Sequence, residues 1–184
     1  MASLTNTKDS FGWVSISLHW LMAVALIAMY FVGDWMVGLD YYDKWYKDAP
    51  YIHKSIGVII GLLMLARLLW NVLQAKPTYL DVKSTVMNMM ASLTHYFFYL
   101  MVFIMVVSGY LISTANGQGV EIFGLFEVPA LLPDDKDRGE LAGKVHEYLG
   151  LGFMVLVAIH ALAALVHHFF MKDRTLKRML GLKS

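Results

Sequence analysis

Four stretches of the chain are almost unbroken in apolar side chains, and the polar residues collect between them. They run approximately from Val14 to Val37, Ile52 to Leu73, Leu93 to Ser113 and Val145 to Met171. Each is long enough for the roughly 20 residues that cross a bilayer core of about 30 Å. Pro50, Pro77, Pro129 and Pro133 all fall between the runs, where none interrupts a helix. Trp13, Trp20, Trp35, Trp45 and Trp70 gather near the run ends, as an interfacial belt requires. The pattern predicts an all-α membrane protein, a four-transmembrane-helix bundle forming one integral membrane domain over residues 1–184. The first run exceeds a signal-peptide core and has no small-residue cleavage site after it, which predicts a retained helix. The longest connection, 114–144, is predicted to hold a short interfacial helix over Ile122–Leu132.

Composition agrees with the pattern and narrows the chemistry. Hydrophobic residues make up 58% and charged residues only 16%, where a soluble domain carries nearer a quarter charged. With no cysteine, disulfides, thiolate metal sites, iron–sulfur clusters and a cysteine nucleophile are excluded. A net charge of +1 offers no field for nucleic acid. That small value conceals an asymmetry. The N-terminal segment, the 67–92 connection and the 171–184 tail hold nine Lys/Arg against three acids, a surplus of +6. The loops 34–54 and 114–147 hold six against eleven, a deficit of −5. The positive-inside rule then predicts both termini in the cytoplasm.

Histidines inside the apolar runs carry the next inference. A polar imidazole in hydrocarbon is costly, so it faces the bundle interior and has a partner. His146 and His160 are 14 residues apart, about 1400° of helix and within about 40° of four full turns, so one face carries both. They are separated by roughly 21 Å along the axis, too far to share one metal. Antiparallel packing sets His53 against His146 toward the outer surface and His19 against His160 toward the inner one. Two such pairs are what two b-type haems require, with an imidazole on each axial face of iron. The plainer alternative is a set of interhelical hydrogen bonds. A structural zinc site would want four ligands together. Gly57, Gly61 and Gly150 follow His53 and His146 at helical spacing and would clear space for a flat macrocycle, or serve as small-residue helix contacts.

Further residues take candidate roles by position. Arg67, 14 residues after His53, is placed to clamp the propionates of an inner haem, or to snorkel. His95 opens the third run at the depth of His19 and is a competing ligand, a second-layer residue or a quinone contact. His167, one heptad beyond His160, suits a quinone carbonyl or proton exchange, or is a belt residue. Ser15 and Ser17, just before His19, are weaker quinone contacts, and His168 turns aside without an assigned role. Lys54 and Lys144 adjoin the outer pair and would focus an anion toward it, or merely flank the membrane.

Several of these segments together resemble a known pattern. They are Ser15-Ile-Ser-Leu-His-Trp-Leu21, His53 with Arg67, Leu93-Thr-His95, Val145-His146-Glu147 and Ile159-His160-Ala-Leu-Ala-Ala-Leu-Val-His167-His168. The chain from about Ser15 to Met179 resembles the bacterial cytochrome b561 family, most closely its superoxide oxidase branch, including the Lys172-Asp173-x-Thr-Leu tail. The resemblance implies a multi-pass cytochrome of the bacterial inner membrane with two haem b groups. His19 and His160 would hold the inner haem, and His53 and His146 the outer. Electrons would pass from superoxide on the periplasmic side to ubiquinone, releasing dioxygen. The alternatives are an electron-transfer subunit docking a periplasmic redox partner through its acidic loops, and a haem-binding sensor whose haems never turn over. No Ser/His/Asp arrangement, P-loop or dinucleotide fingerprint appears, which argues against hydrolysis and nucleotide chemistry.

Overall fold

The computed structural model describes residues 3–78 and 84–182. Of the residues counted in the charge asymmetry, Asp81, Lys83 and Lys183 lie outside that range. Four long helices run up and down: α1 (Trp13–Val37), α2 (Asp48–Leu73), α3 (Thr85–Ser113) and α4 (Lys136–Phe169). Strands β1 (Val120–Ile122) and β2 (Phe126–Val128) lie between α3 and α4, and a short α5 (Thr175–Met179) ends the described chain. All four long helices are long and apolar enough to cross a membrane. Most of their large apolar side chains point outward, as in Val24, Phe31, Leu69, Val72, Phe103 and Leu162. Water would reject that surface and lipid would solvate it.

All four helices begin before their apolar runs, α1 by one residue and the other three by more. α2 begins four residues before Ile52, α3 eight before Leu93, and α4 nine before Val145. Apolar content marks the depth of the hydrocarbon, whereas a helix continues until its backbone groups find another partner. At α4 that partner is Asp135, whose carboxylate accepts from the Arg138 N–H at 3.0 Å. Pro50 lies inside the first turn of α2 rather than between spans. It is tolerated there because a first-turn N–H has no intrahelical acceptor to lose. α4 stops at Phe169, two residues short of Met171.

The predicted interfacial helix over Ile122–Leu132 is instead an antiparallel hairpin, with Val120 opposite Val128 and Ile122 opposite Phe126. Its alternation decides it: Val120 and Ile122 are buried and Glu121 is exposed. Phe123 and Gly124 both take positive φ, +48° and +68°, the backbone of a primed hairpin turn. The fully buried Ser55 pins the hairpin to α2, its hydroxyl donating to the Glu121 carbonyl and accepting from the Phe123 N–H.

At the opposite end, three segments are knitted together. Arg178 donates to the Asp9 carbonyl through Nε and Nη2 (2.9 and 2.6 Å) and to the Thr78 carbonyl through Nη1 (2.8 Å). Trp20 Nε1 donates to the Met179 carbonyl at 2.8 Å. The basic segments thus share one end of the bundle, and the hairpin and acidic loops share the other. Between the ends, Met22, Ile60, Met64, Met101, Val102 and Phe153 form an apolar core, with Leu26 packed against it.

Candidate functional site

Each of the four helices presents two positions 14 residues apart, and these fall into two layers. Toward the hairpin end lie Gly33, His53, Gly109 and His146; toward the basic end lie His19, Arg67, His95 and His160. Midway, seven residues from each layer, stand Ile60, Val102 and Phe153 of the apolar core and Leu26 packed against it. Two polar layers are therefore separated by a dry one.

The outer layer brings His53 and His146 together, with ring centroids 6.3 Å apart. Ser108 Oγ lies 3.0 Å from His146 Nδ1 and 3.0 Å from the Met105 carbonyl. Only the hydroxyl can donate to a carbonyl, so the Ser108 oxygen accepts from His146 Nδ1–H, and the Nε2 lone pair of His146 is left free. His53 Nδ1 is buried and has no partner among the described residues. The two glycines lie against these rings: a Cβ at Gly33 would stand 3.1 Å from His53 Cε1, and one at Gly109 3.2 Å from His146 Cε1.

In the inner layer His19 and His160 stand 6.4 Å apart between centroids, and His95 stands 6.0 Å from His160. His160 therefore faces two imidazoles, one from α1 and one from α3. Arg67 Nη2 donates to His19 Nδ1 at 3.1 Å, and its guanidinium lies 5.9 Å from the Tyr99 ring centre. A guanidinium has no lone pair to offer, so in this arrangement His19 carries its proton on Nε2. Arg67 must turn from His19 before that nitrogen can bind a metal.

The other candidates are placed as follows. His167 Nδ1 pairs with Asp173 Oδ2, and Asp173 Oδ1 accepts from the Thr175 N–H at 2.8 Å. Partial burial pushes the Asp173 carboxyl up, but the His167 and Thr175 hydrogen bonds outweigh it and hold the group below its ordinary value. His168 Nδ1 is buried without a partner among the described residues. Ser15 is engaged on both sides, donating to Asn6 Oδ1 (2.7 Å) and accepting from Trp70 Nε1 (2.9 Å). Ser17 is exposed on the outer face of α1. Lys54 and Lys144 are exposed near the outer pair, and neither forms an ion pair among the described residues. Gly57, Gly61 and Gly150 face apolar side chains rather than histidine: a Cβ at Gly61 would meet Val106 at 3.0 Å, and one at Gly150 the Tyr30 ring at 3.5 Å. They are helix-packing positions.

Sequence reasoning missed Gly33, Gly109 and Ser108. The signal for the glycines was available, because the 14-residue interval from His146 to His160 also links His19 to Gly33 and His95 to Gly109.

A sequence profile describing prokaryotic cytochrome b561 matches residues 10–182. The chain belongs to the cytochrome b561 family. Cytochrome b561 homolog 2 of Escherichia coli (strain K12) is 43% identical over 182 residues, covering 99% of this chain and 97% of the relative. The probable superoxide oxidase CybB of Yersinia pestis is 28% identical, covering 94% and 97% respectively. Cytochrome b561 homolog 1 of Escherichia coli (strain K12) is 27% identical with the same coverage. The name that specifies superoxide thus belongs to a relative at 28%, while the one at 43% is named only by family.

This cytochrome b561 is accordingly a multi-pass bacterial membrane protein of an electron-transferring family that binds haem b and interacts with quinones and lipids. Its donors fit the group. Two imidazoles that would share one metal ion, with a metal–nitrogen bond of about 2.0–2.1 Å, need ring centres roughly 6 Å apart. The observed 6.3 and 6.4 Å match that span. Among the described residues no three His, Asp or Glu converge as a conventional metal cluster.

Proposed function

We propose that this cytochrome b561 is a di-haem electron conduit of the inner membrane, with both termini cytoplasmic, that takes electrons from superoxide on the periplasmic side and delivers them to ubiquinone. The observation that carries the reading is the two imidazole pairs, spaced alike and stacked 14 residues apart on α4. His53 and His146 would hold the outer haem; His19 and His160 would hold the inner one, and Arg67 would be free to clamp its propionates. A bound haem supplies reversible one-electron chemistry, and two of them match a one-electron donor to a two-electron acceptor. Two superoxide ions yield two dioxygen molecules, and ubiquinone takes two electrons and two protons to become quinol.

The chain's own residues supply the rest. Ser108 holds the His146 proton on Nδ1, so that the Nε2 lone pair would be free for the metal. Lys54 and Lys144 attract the anion locally against the acidic loops around them. His167, its Nδ1 held by Asp173, leaves Nε2 to exchange a proton with a quinone at the inner end, where His95 is a second-layer residue. Support for superoxide comes from the resemblance and from the relative named for that activity.

The acidic hairpin-side loops favour one second reading, an electron carrier that docks a cationic periplasmic redox protein. A steady-state assay separates the two. Purified protein supplied with superoxide and ubiquinone should form quinol without any added protein, and should slow when Lys54 and Lys144 are both changed to Gln. If quinol forms only when a periplasmic redox protein is added, the carrier reading stands and the superoxide reading fails.

A further inference from the structure

The two layers are related by the same 14-residue shift in every helix, and only one of the eight positions carries a permanent charge. Where α2 carries His53 in the outer layer, it carries Arg67 in the inner one. The guanidinium is half-buried inside the bundle, against His19, Met22 and Tyr99. No carboxylate pairs with it among the described residues. Nor is an acid available at that depth. The sequence has none between Asp9 and Asp34, between Asp48 and Asp81, between Asp81 and Glu121, or between Glu147 and Asp173.

The outer layer has no counterpart to this charge. Lys54 and Lys144 are exposed at the aqueous edge, where water and salt screen them. Arg67 acts through low-dielectric protein, where a unit charge is felt several-fold more strongly. With a metal on His19 the guanidinium must leave His19 Nδ1, but α2 still holds the Arg67 side chain among Met22 and Tyr99, so its charge stays beside the inner site. A fixed positive charge stabilises whichever redox state has one more electron.

Resting on the di-haem reading above, we propose that Arg67 makes the inner haem the higher-potential member of the pair, so that each electron given up by superoxide at the outer site settles at the inner one. Arg67 is then a positioning residue for charge, and it gives the conduit its direction. The apolar layer of Leu26, Ile60, Val102 and Phe153 keeps water from entering between the sites and levelling the difference.

The test is a spectroscopic redox titration of the purified, haem-loaded protein. The two haems are assigned by the signal lost in His53→Ala, and haem is counted per chain. In the wild type the inner haem should hold an electron at least tenfold more readily than the outer, equivalent to 59 mV for one electron. Arg67→Gln should lower the inner potential by a tenfold shift or more and move the outer one less. Arg67→Lys, which keeps the charge, should restore most of it, as a merely structural role would not. An inner potential unmoved by Arg67→Gln overturns the proposal. If that variant fails to retain its inner haem, the wild type decides alone, because an inner haem of lower potential overturns the proposal without any variant. A wild-type count below two haems per chain fails the di-haem reading itself, which the titration reports separately.

Discussion

Replacing Gly33 with Val puts the outer site under a defined strain. The added Cβ would lie 3.1 Å from His53 Cε1, already tighter than ordinary contact, and the γ-methyls reach further. To clear them the imidazole must swing by roughly 30° from its rotamer, at a cost of about 0.5–1.5 kcal/mol. Against this, valine in a helix gains about 0.3 kcal/mol over glycine, so α1 itself is not weakened. The cost therefore falls on ligation. At about 1.4 kcal/mol per tenfold, outer-haem affinity should drop by about two- to twelve-fold. The assay titrates haem into the haem-depleted protein in detergent, reading Soret absorbance and following thermal unfolding in parallel. Gly143→Val is the control, because a Cβ there meets nothing within 4 Å. Gly33→Val should lose outer-haem affinity while the control does not, with unfolding temperatures alike. Equal affinity and an unchanged spectrum in Gly33→Val would refute the argument that this glycine exists to clear His53.

Three further expectations follow from other contacts. Ser108→Ala removes the acceptor that fixes the His146 proton, and outer-haem affinity should fall by about 10- to 100-fold in the same titration; an unaltered affinity would show that His146 needs no such partner. Arg178→Ala deletes three hydrogen bonds to the Asp9 and Thr78 carbonyls, so trypsin should cut at Lys172 and Arg174 sooner than in the wild type. Asp173 is held below its ordinary value, so its hold on His167 and the tail is complete above the unfolded carboxylate range, near pH 3.9, and is lost as the pH falls through the lower folded value. Protection of the tail from an acid-active protease should accordingly decline in that window, and Asp173→Asn should abolish the pH dependence; a decline that persists in the variant would place its cause elsewhere.

The paired histidines were legible because cost and periodicity agree. An imidazole in hydrocarbon demands a reason, and a 14-residue interval is close to a whole number of turns, so His146 and His160 declare one face and two depths. Helix ends were less legible: hydropathy registers where lipid is, and the charged first turns of α2 and α4 continue the helix beyond it. The hairpin was hidden by its brevity, since three-residue strands alternate too briefly to stand out beside Pro129 and Pro133. Gly33 and Gly109 were hidden for a different reason. A glycine in a span reads first as a helix contact, as it is at Gly61, and only a ring lying against it reveals a clearance. Ser108 carried no sequence signal, because its role depends on a partner 38 residues away.

The common 14-residue interval also governs how such a chain can change length. One residue inserted in α1 between His19 and Gly33 would turn everything beyond it by about 100° and advance it by 1.5 Å. Gly33 would then leave His53 while His19 stayed opposite His160. The same holds for the other three helices, each of which spans both layers. Length variation among descendants of this chain is therefore expected in the connections, such as 38–47, 114–119 and 129–135, and in the tail. Inside the spans an insertion survives only if it comes as whole turns in all four helices at once. The loops are free to drift; the interval between the layers is not.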